Sequence, residues 1–132
     1  MSLHDRPTLR ELLEAVRDYI SDEVAAAAAD RRARFRALIA ANVVQIALRE
    51  LDAGPADDAA EHARFAALGL REGTLGARRR TLAQRIRAGD YDDGPARDEV
   101  FVYARDSVRR KLAVANPRFV TRVEERPPRP RP

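Results

Sequence analysis

The sequence predicts an all-α protein, a single-domain bundle of about five helices, of which three are long and two are short. Apolar residues recur every three or four positions in several segments, which is the spacing of one face of an α-helix. No segment sustains the alternation of apolar and polar residues that marks a half-exposed β-strand. Proline and glycine fall between the apolar segments and mark the expected helix ends. We therefore expect bundle-like packing of these helices over residues 1–123.

The first predicted helix covers residues 7–28. Thr8 and Glu11 form a capping-box pattern, in which each side chain accepts a hydrogen bond from the backbone amide of the other residue. The alanine run at 25–29 has the highest helix propensity available, so the helix is expected to extend into it. Its apolar stripe consists of Leu9, Leu12, Leu13, Val16, Ile20 and Val24.

The second predicted helix covers residues 31–52 and has apolar stripes on two opposite sides. A helix of this kind is usually packed between neighbours, so we expect it to be the central helix. Gly54 and Pro55 are expected to end it, because glycine suits the left-handed position after a helix and proline cannot continue the turn. The first stripe contains Phe35, Leu38, Ile39 and Ile46, and the second contains Val44, Leu48 and Leu51.

Asn42 stands inside the first of these stripes. Burying an unpaired carboxamide would cost about 1–3 kcal/mol, so we interpret Asn42 as a buried side chain with a definite hydrogen-bond partner. The alternative is a contact with a ligand or a partner protein, and Tyr103 and Asn116 are candidates for the same role. Asn116 precedes Pro117 at a helix end, where it is expected to cap or turn the chain.

Three further helices are predicted over residues 56–69, 75–88 and 95–115. Phe65 and Leu68 are expected to anchor the first of them. From residue 124 the chain is rich in arginine and proline, and residues 124–132 are expected to form a disordered tail. Thr74 is expected to cap the helix over 75–88 and Gly89 to close it, while Pro95 starts the helix over 95–115, whose apolar stripe is Phe101, Ala104, Val108, Leu112 and Ala115.

The composition narrows the classes of function. The chain of 132 residues has no cysteine, which excludes a disulfide framework, a thiolate metal site and a cysteine nucleophile. No apolar run is long enough for a membrane span, and residues 1–8 do not resemble a signal peptide, so we expect a cytoplasmic protein. No set of residues matches a catalytic, cofactor-binding or metal-binding motif, and we expect no cofactor and no enzymatic activity of its own.

A basic cluster provides an alternative function. The net charge is +4, and arginines are concentrated on the predicted helix over 75–88. They could bind nucleic acid or another polyanion, but the interleaved aromatic residues of single-strand binders are missing. Arg79 falls on the apolar stripe of this helix, where it could instead pair with a carboxylate at the edge of the core. The cluster consists of Arg78, Arg79, Arg80, Arg85 and Arg87.

Four stretches, over roughly residues 5–120, resemble a family of small all-helical bacterial proteins of unknown function: RPTLRELLEAVRDYI, ALIAANVVQIALRELDAGP, TLAQRIRAGDYDD and VRRKLAVANPRF. Genes of that family often lie beside aminoglycoside-phosphotransferase-like kinases and acyl-CoA dehydrogenases. The resemblance implies a non-catalytic accessory module for a kinase-like or acyl-CoA dehydrogenase-like partner, and it supplies no catalytic residues. A homodimer is also open, since a small domain with a doubly apolar helix often dimerises. The third hypothesis is a small-molecule-binding protein or enzyme with a pocket near Asn42.

Overall fold

The computed structural model describes residues 5–125, and all regular secondary structure in that range is helical. The all-α prediction is therefore confirmed. None of the helices in this range is long and apolar enough to cross a membrane. The described α-helices are α1 (Leu9–Asp18), α2 (Arg31–Ala67), α3 (Leu75–Ala88), α4 (Pro95–Ala115) and α5 (Pro117–Glu124), and a π-helical segment, Tyr19–Val24, follows α1.

The described residues group into two compact units, which are divided between Ala53 and Gly54. We call the residues before this boundary unit 1 and the residues after it unit 2. The arrangement of both units as one domain over residues 1–123 stays a prediction. Of the predicted tail, Glu124 is the last residue of α5, and residues 126–132 lie outside the described residues.

Helix α2 is longer than the sequence predicts. Residues 31–52 and 56–69 were expected to be separate helices, but one helix runs from Arg31 to Ala67 and contains Pro55. Gly54 does not adopt the left-handed conformation that would end it. Pro55 has no amide hydrogen, so the Leu51 carbonyl loses its usual partner four residues on. The strong helix formers on both sides outweigh this local defect.

The first helix is shorter than predicted. α1 ends at Asp18, and the alanine run is a turn rather than a continuation to residue 28. The Asp30 side chain favours a break before residue 31, because its Oδ1 accepts a hydrogen bond from the Ala33 amide at 2.7 Å and caps the start of α2. An aspartate cap contributes about 1 kcal/mol, which is more than the small propensity advantage of each alanine. The capping box of Thr8 and Glu11 is confirmed.

In unit 1, the charged side of α1 faces α2. Arg10 forms an ion pair with Asp52, and Arg17 donates a hydrogen bond of 2.8 Å to Gln45. The apolar stripe of α1 is largely left at the surface, which differs from the bundle-like packing expected of the helices. Its exposed members are Leu9, Leu12, Val16 and Val24, while the buried residues of unit 1 are Ala25, Ala37, Ala41 and Leu48.

In unit 2, a larger apolar core forms around Phe65, which is fully buried. The anchoring role predicted for Phe65 and Leu68 is confirmed, since Leu68 packs against the same core. The rings of Phe65 and Tyr103 pack with centroids 5.1 Å apart. The remaining buried members of the core are Leu70, Leu82 and Val100, and Leu75, Tyr91 and Tyr103 pack against it.

The predicted caps of α3 and α4 are confirmed. The Thr74 side chain accepts a hydrogen bond from the Ala77 amide at 3.2 Å, and Gly89 adopts the left-handed conformation at the end of α3. Pro95 lies in the first turn of α4. A proline suits this position because the first amides of a helix have no partner within the helix.

Candidate functional site

The packed face of α4 is offset by one residue from the predicted apolar stripe. Val100 is buried and Tyr103, Ser107 and Arg110 are partly buried, whereas Phe101 is 65% exposed. Most members of the predicted apolar stripe therefore lie outside the packed face of α4. Ala104, Val108 and Ala115 are also exposed, and Leu112 is partly buried.

Two polar contacts with α2 explain this offset. The Tyr103 hydroxyl donates a hydrogen bond of 2.7 Å to Oε1 of Glu61, and Nη1 of Arg110 lies 2.7 Å from Oδ1 of Asp57. Both partners lie on the α2 segment that continues past Pro55. Turning α4 to bury Phe101 would remove Tyr103 and Arg110 from these carboxylates. The polar contacts therefore favour the face that carries Val100 and leave the more apolar stripe at the surface.

The exposed side of Phe101 borders an open groove of about 490 Å³ between residues of α3 and α4. Ile86 from α3 and Ala104 from α4 also line this groove, and both are exposed. Large apolar side chains at the surface mark interaction sites when they form a patch rimmed by polar groups. The charged residues of the groove are Asp92, Arg97 and Asp98.

A cluster of three polar side chains joins the helices of unit 2. Arg79 forms a two-pronged ion pair with Glu61, in which the bond from Nε to Oε1 is 2.9 Å long. Tyr103 donates to the same Oε1 atom. The prediction that Arg79 pairs with a carboxylate at the core edge is confirmed. Glu61 was not predicted, although its spacing of four residues from both Asp57 and Phe65 places all three on one face of α2.

The electrostatics of this cluster point away from proton-transfer chemistry. The hydrogen bonds from Arg79 lower the pKa of Glu61, so its carboxylate is ionised and weakly basic at neutral pH. Burial and the neighbouring Glu61 carboxylate raise the pKa of Tyr103 to about 12, which keeps its hydroxyl protonated. A general acid or base works best with a pKa near the operating pH. At neutral pH the cluster therefore consists of an ionised carboxylate that accepts hydrogen bonds from a guanidinium and a protonated hydroxyl.

A second ion-pair network lies further along α4. Asp106 accepts a hydrogen bond of 2.7 Å from Nε of Arg110, and it also pairs with Arg64 at 3.2 Å. The Arg110 guanidinium lowers the pKa of Asp106. This network and the Glu61 cluster both connect α2 to α4. Within the described residues, no group of three or more histidine, aspartate or glutamate side chains could hold a metal ion.

The five arginines proposed as a polyanion site are not equally available. Arg79 is held by Glu61, and Arg78 donates to the Gly73 carbonyl at 3.1 Å and lies 3.2 Å from Nδ1 of His62. The guanidinium groups of Arg78 and Arg79 are therefore already bonded to other groups of unit 2. The remaining members, Arg80, Arg85 and Arg87, are exposed. The polyanion role of the five residues stays a prediction.

The three residues proposed as ligand or partner contacts differ in their surroundings. Asn42 is exposed, and its side chain has no hydrogen bond among the described residues, so the interpretation of Asn42 as a buried anchor is wrong. Asn116 accepts a hydrogen bond from the Phe119 amide at 3.3 Å and caps α5, which confirms its predicted local role. Tyr103 lines an open pocket of about 320 Å³, but its hydroxyl is bonded to Glu61.

The family model for a domain of unknown function, DUF6285, matches residues 27–119. The chain belongs to this family. The matched region includes α2, α3 and α4, and therefore both the Glu61 cluster and the groove beside Phe101. No curated protein and no solved structure is significantly similar to the chain.

Proposed function

We propose that this member of the DUF6285 family is a non-catalytic interaction module that binds a protein partner through the Phe101 surface. This surface consists of Ile86, Phe101, Ala104 and Val108. The observation that carries the proposal is the register of α4, which buries Tyr103 and Arg110 in part and leaves Phe101 and Val108 at the surface. The Phe101 surface lies in unit 2, whose own core does not require it.

The groove at this surface favours a partner of defined chemistry. An apolar side chain that enters between Ile86 and Phe101 would remove both of them from water, and fully burying a phenylalanine is worth about 1.5–3 kcal/mol. The charged groups at Asp92 and Arg97 line the same groove and can pair with charges on the partner. We therefore expect the partner to present a large apolar residue flanked by charged residues.

The identity of the partner is drawn from the family resemblance. Genes for aminoglycoside-phosphotransferase-like kinases and for acyl-CoA dehydrogenases neighbour those of the similar bacterial proteins. A kinase-like protein and an acyl-CoA dehydrogenase-like protein from the host of this chain are thus the two partners to test. Neither requires the module to have a reactive group, which agrees with the pKa directions of Glu61 and Tyr103.

Co-expression with each candidate partner tests the proposed function. We expect one of them to co-purify with the tagged full chain as a stable complex. Phe101→Glu should weaken this complex by at least about tenfold, because a buried charge replaces an apolar contact. Recovery of the free chain alone with both candidates would overturn the proposed partners.

Tyr19→Glu is the matched control for this experiment. Tyr19 is 57% exposed, comparable to Phe101, but it lies in unit 1 on the π-helical segment. Both substitutions introduce a carboxylate in place of an exposed aromatic ring, so they change the net charge and the surface polarity equally. Equal weakening of the complex by both variants would contradict a specific role for the Phe101 surface.

A further inference from the structure

Within unit 1, helix α2 carries an apolar stripe with Asn42 at its centre, and all of its members except the partly buried Ile46 are exposed. At 3.6 residues per turn, its five residues fall within an arc of about 100°. Helix α1 packs on the adjoining side of α2, where Ala41 and Leu48 are buried and where Gln45 and Asp52 bond to side chains of α1. We call this surface the Asn42 stripe, and its members are Phe35, Leu38, Ile39, Asn42 and Ile46.

Exposed charged residues lie on both flanks of the Asn42 stripe. Arg32 and Glu50 lie on the side away from α1, and Arg34 and Asp52 lie on the side toward α1, where Asp52 already pairs with Arg10; each is about 80° around the helix from Asn42. Both arginines precede Asn42 and both carboxylates follow it. With a rise of about 1.5 Å per residue, each charge lies roughly 12–15 Å from Asn42 along the helix axis.

We infer that the Asn42 stripe binds a second copy of this chain, with the two α2 helices antiparallel about a two-fold axis at Asn42. In this arrangement, Arg32 meets Glu50 of the second copy on the flank away from α1. The symmetry repeats this pair, so Arg32 and Glu50 of both copies each face an opposite charge.

The charges also disfavour the parallel arrangement of the two helices. In a parallel pair, Arg32 would meet Arg34 of the second copy, and Glu50 would meet Asp52 of the second copy. Both flanks would then bring like charges together, which disfavours association. The order of charges along α2 therefore selects the antiparallel orientation.

The antiparallel pair gives the exposed Asn42 side chain a role. A carboxamide has both donors and an acceptor, so two copies of Asn42 can bond to each other across the two-fold axis. A single polar residue in an apolar helix seam fixes the register and orientation of the pair. Along the same seam, Ile39 lies opposite Ile46 of the second copy, and both are removed from water.

The composition of unit 1 supports association of this kind. Its buried residues are three alanines and Leu48, while Phe35 is 62% exposed. A unit with so little buried apolar area gains stability when a second copy covers its stripe. This proposal does not rest on the Phe101 surface, which lies in unit 2, so Phe101→Glu should leave the dimer intact.

Charge reversal in the full chain tests the pairing. Sedimentation or light scattering should give the mass of a dimer for the unaltered chain. Glu50→Arg should weaken the dimer by about tenfold, because it brings two arginines together at each of the two symmetry-related contacts between Arg32 and position 50. Adding Arg32→Glu to the same chain should restore the dimer. A monomeric unaltered chain, a dimer strengthened by Glu50→Arg, or a failure of the second change to restore it would each overturn the proposal.

Cysteine cross-linking tests the orientation, since the chain has no cysteine of its own. Asn42→Cys places two thiols close to the two-fold axis and should give a disulfide-linked dimer under mild oxidation. Phe35→Cys is the control, because its two copies lie about 21 Å apart along the antiparallel axes. A disulfide requires Cα atoms within about 7 Å, so Phe35→Cys should stay monomeric on a denaturing gel. Equal cross-linking of both variants, or of neither, would overturn the orientation.

Discussion

Units 1 and 2 differ in what they bury. Unit 2 encloses Phe65, Leu70 and Leu82, and two polar networks connect its helices. Unit 1 buries mainly alanines, while Phe35 and Leu12 lie at its surface. Both units are built from amphipathic helices. The difference shows that an apolar stripe can be enclosed in a core or left at the surface, and that its neighbours decide which.

Phe65→Ala should lower the free energy of unfolding more than the other substitutions, and it tests directly whether the strong core lies in unit 2. Phe65 is fully buried, and replacing a buried phenylalanine by alanine costs about 3–5 kcal/mol through lost burial and the cavity left behind. Phe35→Ala removes the same atoms from an exposed site of unit 1 and should change the free energy of unfolding by less than about 0.5 kcal/mol.

Denaturant unfolding of both variants, at a dilution where the chain is monomeric, provides the measurement. A large loss from Phe65→Ala with little change from Phe35→Ala would support a core confined to unit 2. Similar losses from both substitutions would show that Phe35 contributes to a core of comparable strength.

Local signals in the sequence predicted helix ends well. Thr8 with Glu11, Thr74 and Gly89 each cap or end a helix as expected, because these interactions involve residues within one turn of each other. Asn116 likewise caps α5 with its own side chain. Such contacts depend only on residues that are close together in the sequence, so a single segment is enough to predict them.

The covered face of a helix was harder to predict. The periodicity of α4 indicated a face with Phe101 and Val108, but the structure packs the adjacent face with Val100 and Tyr103. The choice depends on Glu61 and other groups far away in sequence. A helical pattern shows where the apolar arc lies, but it does not show which arc a neighbour covers.

The continuation of α2 through Pro55 was missed for a related reason. Gly54 and Pro55 are strong breakers when considered alone. The helix formers before and after them extend for several turns, and their combined preference favours one helix. Sequence reasoning gave the dipeptide more weight than the segments on either side.

Tyr103→Phe should lower the free energy of unfolding by an intermediate amount, because it removes one of the polar contacts that connect the helices of unit 2. It deletes the hydrogen bond to the Glu61 carboxylate and should cost about 1–2 kcal/mol at neutral pH. Because the folded pKa is raised to about 12, the tyrosine contributes its full stability below its usual pKa near 10. That contribution is lost as the pH rises through the folded value.

The difference in unfolding free energy between the unaltered chain and Tyr103→Phe should therefore shrink above pH 10. Ultraviolet titration of the folded chain, which has three tyrosines, should also show an ionisation near pH 12 that Tyr103→Phe removes. Tyr91→Phe serves as the control and should retain that step. A difference in stability that stays constant up to pH 12 would contradict the role of the Tyr103 hydroxyl.

Asn42→Leu should have the smallest effect on the stability of the monomer. The carboxamide is exposed and has no hydrogen bond among the described residues, so its replacement should change the unfolding free energy by less than about 0.5 kcal/mol. A loss well above that value, measured by denaturant unfolding at high dilution, would restore the interpretation of a buried anchor.

In the dimer, Asn42→Leu removes the polar pair that the two Asn42 side chains form at the two-fold axis. Association should then become tighter but less specific in register, because apolar contacts replace the bond that aligns the two helices. An unchanged monomer combined with altered association would place the role of Asn42 outside the single chain.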